Sequence, residues 1–183
     1  MSTATHLMTA EELIKLPGGS CRYELVKGEL LTMPLAGEEH GVLIINVTLP
    51  IAQYVRSNNL GIVYGADTGF QIESNPDTVL GPDIAFVSKD RLKETGISRG
   101  YRMGAPDLAV EIISPRDSAK RAEQKAHRWL AGGALMVWTV DPKTRTVKVY
   151  ESTSSVAVLG EADVLTGGTV LPGFKLPVSE IFI

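Results

Sequence analysis

The sequence predicts an α/β fold in which a mixed β-sheet is flanked by helices. Short strand-like runs, among them "GIVYGA", "PDIAFV" and "DLAVEII", alternate with two segments that have a helical pattern. The chain has 183 residues, of which 44% are apolar, and no internal repeat, so it can bury a substantial core. We therefore expect a single domain over residues 1–183.

The chain begins with a predicted short helix and a hairpin. Thr9 followed by Glu12 is a capping-box pattern, which predicts a helix through Leu16 that ends at "PGG". In "RYELVKGELLTM" the apolar and polar residues alternate on either side of "KG". This alternation predicts a hairpin near residues 22–33.

A longer helix is predicted in "EEHGVLIINVTLPIAQYVRSNN", although Pro50 could kink it. The residues that recur there at helical spacing are Val42, Ile45, Leu49, Ala52 and Val55.

The rest of the chain continues the alternation of strands and helices. A further helix is predicted from about Asp117 to Ala131, where Gly132 and Gly133 end it. The tail from Ser152 onward is rich in Gly, Ser, Thr and Val, and we expect it to form a sheet edge and a covering loop. The predicted strands in this part are "GIVYGA", "GFQIE", "PDIAFV", "DLAVEII", "ALMVWTVD" and "TVKVYES".

Composition argues against a membrane protein. No apolar run approaches the roughly 20 residues that a transmembrane helix needs. The first 16 residues carry acids where a secretory signal would carry bases. We therefore expect a cytoplasmic protein with no membrane partner.

Charge is distributed unevenly along the chain. The net charge is −3, which argues against a general nucleic-acid coat, yet the segment Lys89 to Arg128 has ten Lys and Arg against six Asp and Glu. This excess fits either a surface that binds nucleic acid or an ordinary solvated helix face.

Two acids occur in strand-like runs that are otherwise apolar. Glu111 lies within "DLAVEIISP", on the strand face of Ala109 and Ile113, and Asp83 begins the run "DIAFV". A buried carboxylate is costly unless it is paired or binds a metal. Two acids on adjacent strands could converge on Mg²⁺, or both could lie at solvated strand ends or pair with Lys or Arg.

A lysine on the following helix extends this pattern. Arg121, Lys125 and Trp129 are one helical turn apart and share a face, and Lys120 and Arg128 flank it. The helix could return Lys125 over the two acids, or Lys125 could be an ordinary solvated lysine. We expect Trp129 to pack in the core rather than to stack on nucleic-acid bases.

The order of the motifs resembles the Uma-two endonuclease family of the PD-(D/E)XK superfamily, which has a restriction-endonuclease-like fold. The motifs are "RYELVKGEL", "GPDIAFV", "PDLAVEIISP", a helix that carries Lys125, and "AGGALMVWTVDP". In this resemblance Asp83 and Glu111 match the metal-binding acids. The lysine expected two residues after the second acid is replaced by Ile113, and Lys125 matches a lysine moved to the helix.

The resemblance implies a DNA endonuclease that depends on Mg²⁺, or on Mn²⁺ in its place. Asp83, Glu111 and the carbonyl of Ile112 would hold the metal, and Lys125 would orient water or stabilise charge. Glu24 matches an upstream glutamate of the superfamily. It could hold a second metal through water or orient the other ligands, or it could be a hairpin residue paired to Arg22 or Lys27. His40 matches a histidine often seen in the family. It could contact phosphate or transfer a proton, or it could be a solvated histidine at the start of a helix.

DNA is the implied partner of this enzyme. The cations expected to contact it are Lys120, Arg121 and Arg128. Because a duplex has two strands to cut, we expect a homodimer or a larger homo-oligomer.

Two alternatives to an endonuclease stay open. The missing lysine at Ile113 and the acidic net charge allow a catalytically inactive nucleic-acid-binding or scaffold protein on a nuclease fold. A metal phosphohydrolase for small substrates is the other alternative. The sequence offers no convincing Ser, His and Asp arrangement and no glycine-rich phosphate loop.

Overall fold

The structure is a computed structural model that describes residues 6–17, 21–115 and 117–182. In these ranges the helices are α1 (Ala10–Leu13), α2 (Glu38–Ser57), α3 (Lys89–Thr95) and α4 (Ala119–Ala131), with a 3₁₀ turn at Val178–Glu180. The strands are β1 (Cys21–Val26), β2 (Glu29–Pro34), β3 (Gly61–Tyr64), β4 (Phe70–Glu73), β5 (Thr78–Leu80), β6 (Ile84–Ser88), β7 (Arg102–Met103), β8 (Leu108–Ile112), β9 (Met136–Asp141), β10 (Thr146–Tyr150), β11 (Val156–Leu159), β12 (Val164–Gly167) and β13 (Leu171–Pro177).

The strands form mixed sheets flanked by helices, which confirms the predicted α/β class. One sheet has the order β2-β1-β5-β4-β7 and another has the order β11-β10-β9-β8-β6-β3. A smaller sheet joins β12 and β13. In the larger sheets, β4 with β7 and β8 with β9 are the parallel pairs, and the other pairs are antiparallel.

The first elements form where the sequence predicts them. The side chain of Thr9 accepts from the backbone of Glu12, and the side chain of Glu12 accepts from the backbone of Thr9, which completes the capping box of α1. Helix α1 ends at Leu13, three residues before the predicted end at Leu16, and the glycines of "PGG" lie outside the described residues. The β1–β2 hairpin turns at Lys27 and Gly28, with φ of 51° and 78°. Two positive φ angles are typical of a tight two-residue hairpin turn.

Strand β8 lies at the centre of the six-stranded sheet, and its residues are all buried. Val110 and Ile112 pack in the core beneath α2, whereas Ala109 lies in a second cluster with Ala126 of α4. Glu111 is on the α4 side with Ala109, because side chains alternate along a strand.

Helix α2 buries a different set of residues from the predicted stripe. Val42, Ile45 and Leu49 are 39%, 60% and 55% exposed. Of the predicted stripe, only Val55 is fully buried. Two apolar stripes compete on this helix, and the sheet covers the other one. The buried side chains of α2 are His40, Leu43, Val47, Ile51 and Val55.

The C-terminal tail contributes more to the core than predicted. Strand β11 is a sheet edge, as expected, but Leu165, Leu171 and Phe174 are buried in the core beneath α2. The covering-loop prediction was therefore wrong for β12 and β13. None of the helices in the described ranges has both the length and the apolar character needed to cross a membrane.

Candidate active site

The two acids singled out in the sequence lie on neighbouring strands. Asp83 immediately precedes β6, and Glu111 is on β8, which pairs with β6. The backbone N–H of Ile112 donates to Asp83 Oδ2 at 2.8 Å, which fixes one carboxylate against the other strand. Both side chains are buried. The solvated strand-end alternative therefore does not apply to them.

Lys125 lies over the acids, as the helix pattern allowed. Its Nζ is 2.8 Å from Glu24 Oε1 and 3.0 Å from Glu111 Oε2. It also donates to the carbonyl of Gly81 at 3.2 Å. The structure therefore brings together Glu24, Glu111 and Lys125 from β1, β8 and α4.

Helix α4 carries Lys125 to this position because its N-terminus is capped close to β8. Ser118 is the N-cap, and its side-chain oxygen accepts from the backbone N–H of Arg121. The helix begins two residues later than predicted and ends at Ala131, before Gly132. Its buried face contains Ala126 and Trp129.

Trp129 has a polar role that sequence reasoning missed. It is fully buried, as predicted, and packs edge-on against Phe70 with ring centroids 6.0 Å apart. Its Nε1–H also donates to Glu111 Oε1 at 2.7 Å. Both carboxylate oxygens of Glu111 are thus hydrogen-bonded. The spacing of one helical turn between Lys125 and Trp129 was the sequence signal that could have revealed this polar role.

Asp83 has its own set of partners. His40, in the first turn of α2, places Nε2 3.2 Å from Asp83 Oδ1. Arg22 on β1 donates from Nη1 to the same oxygen at 3.4 Å and also forms an ion pair with Asp67. Sequence reasoning did not place Arg22 in the site, because 61 residues separate it from Asp83.

Ser114 extends this second group of residues. Its Oγ lies 3.5 Å from His40 Nδ1, at the outer limit of hydrogen-bond length. Ser114, His40 and Asp83 therefore form a line that the sequence did not predict. A contact of this length leaves the Ser114 hydroxyl only weakly hydrogen-bonded to His40.

The two acids differ in their proton affinity. Burial raises the pKa of Glu111, and after the lowering effect of the Lys125 charge, the raising effects of the Asp83 and Glu24 charges and the lowering effect of the Trp129 N–H, the pKa is about 7. Burial also acts to raise the pKa of Asp83. For Asp83, however, burial is outweighed and the pKa is lowered. The causes are the hydrogen bond and charge of His40, the N–H of Ile112 and the charge of Lys125.

The cations of the site stay charged. Burial acts to lower the pKa of Lys125, but the carboxylates of Glu111 and Glu24 outweigh burial and raise it. The same balance raises the pKa of Arg22, for which the largest opposing charge is that of Asp83. Ion pairing thus offsets part of the cost of burying the acids.

Comparison with known proteins assigns a family to this arrangement. The model of the Uma2 family, described as "Putative restriction endonuclease", matches residues 10–179. The chain belongs to the Uma2 family. The Uma-two resemblance seen in the sequence is therefore confirmed. No curated protein matches the chain at a significant level.

A solved structure has the same fold as this Uma2 chain. It is described as "a putative nuclease belonging to DUF820 from Anabaena variabilis ATCC 29413". The similarity has a TM-score of 0.81 and covers 95% of this chain and 97% of that chain, at 20% sequence identity. This structure supports the fold, and family membership supports a nuclease function.

A metal ion in the site of this Uma2 chain would have only a few protein ligands. Among the described residues, no group of three or more His, Cys, Asp or Glu side chains is arranged to hold a metal. Asp83 and Glu111 are nevertheless hard oxygen donors on adjoining strands. Mg²⁺ commonly takes one or two protein carboxylates and completes its shell with water, so this pair suits such an ion.

The predicted nucleic-acid contacts do not share one environment. Lys120 and Arg121 are exposed at the start of α4, whereas Arg128 is half-buried near its end. Other cations of the basic segment bind within the protein: Arg91 pairs with Asp107 at 3.3 Å, and Arg102 donates to Thr95 Oγ1 at 2.7 Å. The basic excess is therefore divided between internal contacts and exposed positions.

A cleft of about 340 Å³ opens beside the site. Arg22, Glu24 and Gly81 line its polar side, and Tyr23 and Tyr101 belong to its other walls. The cleft gives a solvent path to the Glu24 end of the cluster.

Proposed function

We propose that this Uma2 protein is a metal-dependent endonuclease that hydrolyses phosphodiester bonds in DNA. One observation carries the proposal: Lys125 lies within hydrogen-bond distance of Glu24 and Glu111, while Asp83 is held on the adjoining strand. The arrangement supplies acids and a cation from separate elements at one point, as phosphodiester hydrolysis requires. Family membership supports the nuclease assignment.

Enzymes of the restriction-endonuclease-like family generally use divalent metal ions. We infer Mg²⁺, with Mn²⁺ as a substitute, and assign Asp83, Glu111 and the carbonyl of Ile112 as its ligands. A divalent ion, when bound, supplies positive charge to the phosphate and makes a nearby water more acidic.

The side chains around the acids have separate proposed roles. Lys125 keeps its proton, so its ammonium orients a water or stabilises charge that develops on the phosphate. Glu24 holds Lys125 in place through the 2.8 Å ion pair. Glu111, with a pKa of about 7, can exchange a proton near neutral pH.

We propose that His40 orients Asp83 and that it contacts phosphate or transfers a proton. Its Nε2 contacts Asp83, and its ring is buried between that acid and Ser114. Because His40 lies next to Asp83, which stays ionised, its position favours a role in orienting the negative charge of Asp83.

One observation favours the inactive alternative. Each carboxylate oxygen of Asp83 and Glu111 already has a protein partner. A scaffold on a nuclease fold would keep these contacts permanently, whereas an enzyme must exchange some of them for metal and substrate.

Cleavage of plasmid and single-stranded DNA with Mg²⁺, Mn²⁺ or chelator tests the proposal. We expect cutting with either metal and none with chelator. Asp83→Asn and Glu111→Gln should each abolish cutting and the Mn²⁺ site seen by calorimetry. Glu123→Gln removes an exposed acid from α4 and should retain both activities. DNA binding without cutting under all metal conditions would favour the scaffold.

Assembly is a separate part of the proposal. We infer a homodimer or larger homo-oligomer, since cutting a duplex requires two reactions on opposite strands. Light scattering of wild-type protein with and without duplex DNA measures this. A monomer in both conditions would contradict the oligomer and leave single-strand cleavage as the activity. The cytoplasmic location stays a prediction.

A further inference from the structure

A second pocket, of about 510 Å³, lies between the later part of α4 and the sheet that contains β1. We name it the α4 pocket. Val26 and Ile72 contribute its apolar wall, and Lys27 and Arg128 contribute positive charge from opposite sides. The proposed active site does not use this pocket, although the pocket is large enough for a small ligand.

The charge of the α4 pocket favours an anion. In the part of the chain that the structure describes, neither Lys27 nor Arg128 forms an ion pair with an acid. Glu73 is the acid that lines the pocket, and it accepts from Thr78 Oγ1 at 2.9 Å. Two cations therefore face one acid. The planar fork of Arg128 also suits the geometry of a phosphate.

A buried polar atom also belongs to a residue of this pocket. His127 lines the pocket, and its Nε2 is enclosed without a hydrogen-bond partner among the described residues. Its ring lies edge-on to Tyr150, with centroids 6.1 Å apart. Because Nε2 is closed off from solvent, His127 lines the pocket with other atoms of its side chain and does not present Nε2 to a ligand.

The α4 pocket is adjacent to the acids along both elements that border it. On β1, Val26 follows Glu24 by two residues on the same face, a rise of about 6.6 Å. On α4, Arg128 follows Lys125 by three residues, a rise of about 4.5 Å. A nucleic-acid strand rises about 3.4 Å per nucleotide, so these offsets correspond to roughly one or two nucleotides.

We propose that the α4 pocket binds the phosphate of a nucleotide, with Lys27 and Arg128 as its charged ligands. The phosphate could belong to a free nucleotide or to a nucleic-acid strand. The strand form rests on the proposed nuclease function, because it places the pocket one or two nucleotides from the cut bond. The phosphate site itself does not depend on cleavage.

Titration calorimetry with AMP and with inorganic phosphate tests the site directly. Lys27→Gln/Arg128→Gln should weaken the binding of AMP about tenfold or more, because charge-assisted hydrogen bonds are lost. Lys143→Gln/Lys175→Gln makes the same change in net charge at exposed positions outside the pocket and should bind AMP like wild type. Ala131→Tyr narrows the pocket without changing charge and should also weaken binding.

A labelled single-stranded oligonucleotide distinguishes the two sources of phosphate. If the pocket holds a strand, Lys27→Gln/Arg128→Gln should weaken binding of the oligonucleotide and raise KM about tenfold with little change in kcat. If it holds a free nucleotide, AMP should bind tightly while the affinity for the oligonucleotide stays unchanged.

Two results would overturn the phosphate site. One is a wild-type protein that binds neither phosphate probe nor the oligonucleotide. The other is unchanged binding of all three in both Lys27→Gln/Arg128→Gln and Ala131→Tyr. Loss of AMP binding in the variants, together with no cleavage under any metal condition, would instead support the pocket and reject the nuclease.

Discussion

Asp83 and Glu111 are two acids with similar burial, 3% and 8% exposed, and opposite acid–base behaviour. Asp83 faces Arg22 and His40, and its pKa is lowered. Glu111 has Lys125 and Trp129 as partners, yet its pKa is raised to about 7. Burial alone therefore does not set the protonation of an acid in this site.

The difference follows from how each positive charge is shared. Lys125 lies between Glu24 and Glu111 and divides its charge between them, whereas Asp83 has the hydrogen bond and charge of His40 and also receives a backbone N–H from Ile112. The comparison predicts one acid that remains ionised and can hold a cation, beside another that titrates near neutral pH.

Removal of Lys125 should have the largest effect on the difference between the two acids and on cleavage. Lys125→Met leaves Glu24 and Glu111 facing each other without a cation, so cleavage should fall by about two to four powers of ten. Metal affinity should change little, because Asp83 and Glu111 remain. The measurements are single-turnover cleavage and Mn²⁺ calorimetry.

The control for Lys125 is an exposed lysine outside the site. Lys175→Met changes such a lysine and should cut at the wild-type rate. Ile113→Lys in the Lys125→Met background places a lysine two residues after Glu111, on its strand face, and should restore part of the rate. Equal rates for Lys125→Met and wild type would exclude Lys125 from the reaction.

The stability of the protein should report the raised pKa of Glu111. Between the ordinary carboxyl pKa of about 4.5 and the folded value of about 7, the folded state binds more protons than the unfolded state. The free energy of unfolding should therefore fall as pH rises through this window, by at most about 3 kcal/mol.

Glu111→Gln should flatten this dependence in urea unfolding at pH 5, 6, 7 and 8. Asp83 acts in the opposite direction, but its lowered pKa places its contribution below about pH 4. Parallel pH profiles for wild type and Glu111→Gln would show that Glu111 has no raised pKa.

Trp129 offers a smaller change in the same environment. Trp129→Phe removes the N–H that donates to Glu111 and should raise the pKa of Glu111 further. We expect a loss of about 2 kcal/mol in unfolding free energy, from the lost charge-assisted bond and the smaller ring. A double-mutant cycle with Glu111→Gln separates the effect of the lost hydrogen bond from the effect of the smaller ring. A coupling energy near zero would show that the hydrogen bond does not contribute to the loss of stability.

Ser114 should have the smallest effect. Its 3.5 Å contact with His40 is long, so Ser114→Ala should change stability by less than about 0.5 kcal/mol and leave Asp83 ionised. Cleavage rates and the nitrogen NMR shifts of His40 measure this. A rate loss as large as that of Lys125→Met would make Ser114 one of the reacting groups.

Local patterns predicted much of the framework around these acids. Alternation located β8 and its Glu111 face, and one-turn spacing on α4 placed Lys125 and Trp129 together. The family resemblance added Glu24 and His40, which the structure does bring to the site. These features depend on spacing within one element or on motif order, and both can be read from a sequence.

Contacts between distant elements were not predictable in this way. Helix α2 has two apolar stripes, and only packing against the sheet decides that Leu43 and Val47 are buried while Ile45 is exposed. The pairing of Arg22 with Asp83 likewise depends on how β1 and β6 come together. Sequence spacing has no information about such encounters.

The tight turn at Lys27 and Gly28 determines which acid reaches Lys125. It pairs Glu24 with Leu31 and directs Glu24 towards α4, while Leu25 packs with Ala10 and Leu13 of α1. A one-residue insertion or deletion that shifted β1 by one position would turn Leu25 to Lys125 and drive Glu24 into that apolar cluster. Gly28 has no room for a side chain, since a Cβ there would lie 2.6 Å from Leu7 Cβ. The length of this surface turn is therefore constrained as strictly as the identity of the acids. Insertions and deletions that other loops tolerate should be absent from this turn in functional variants.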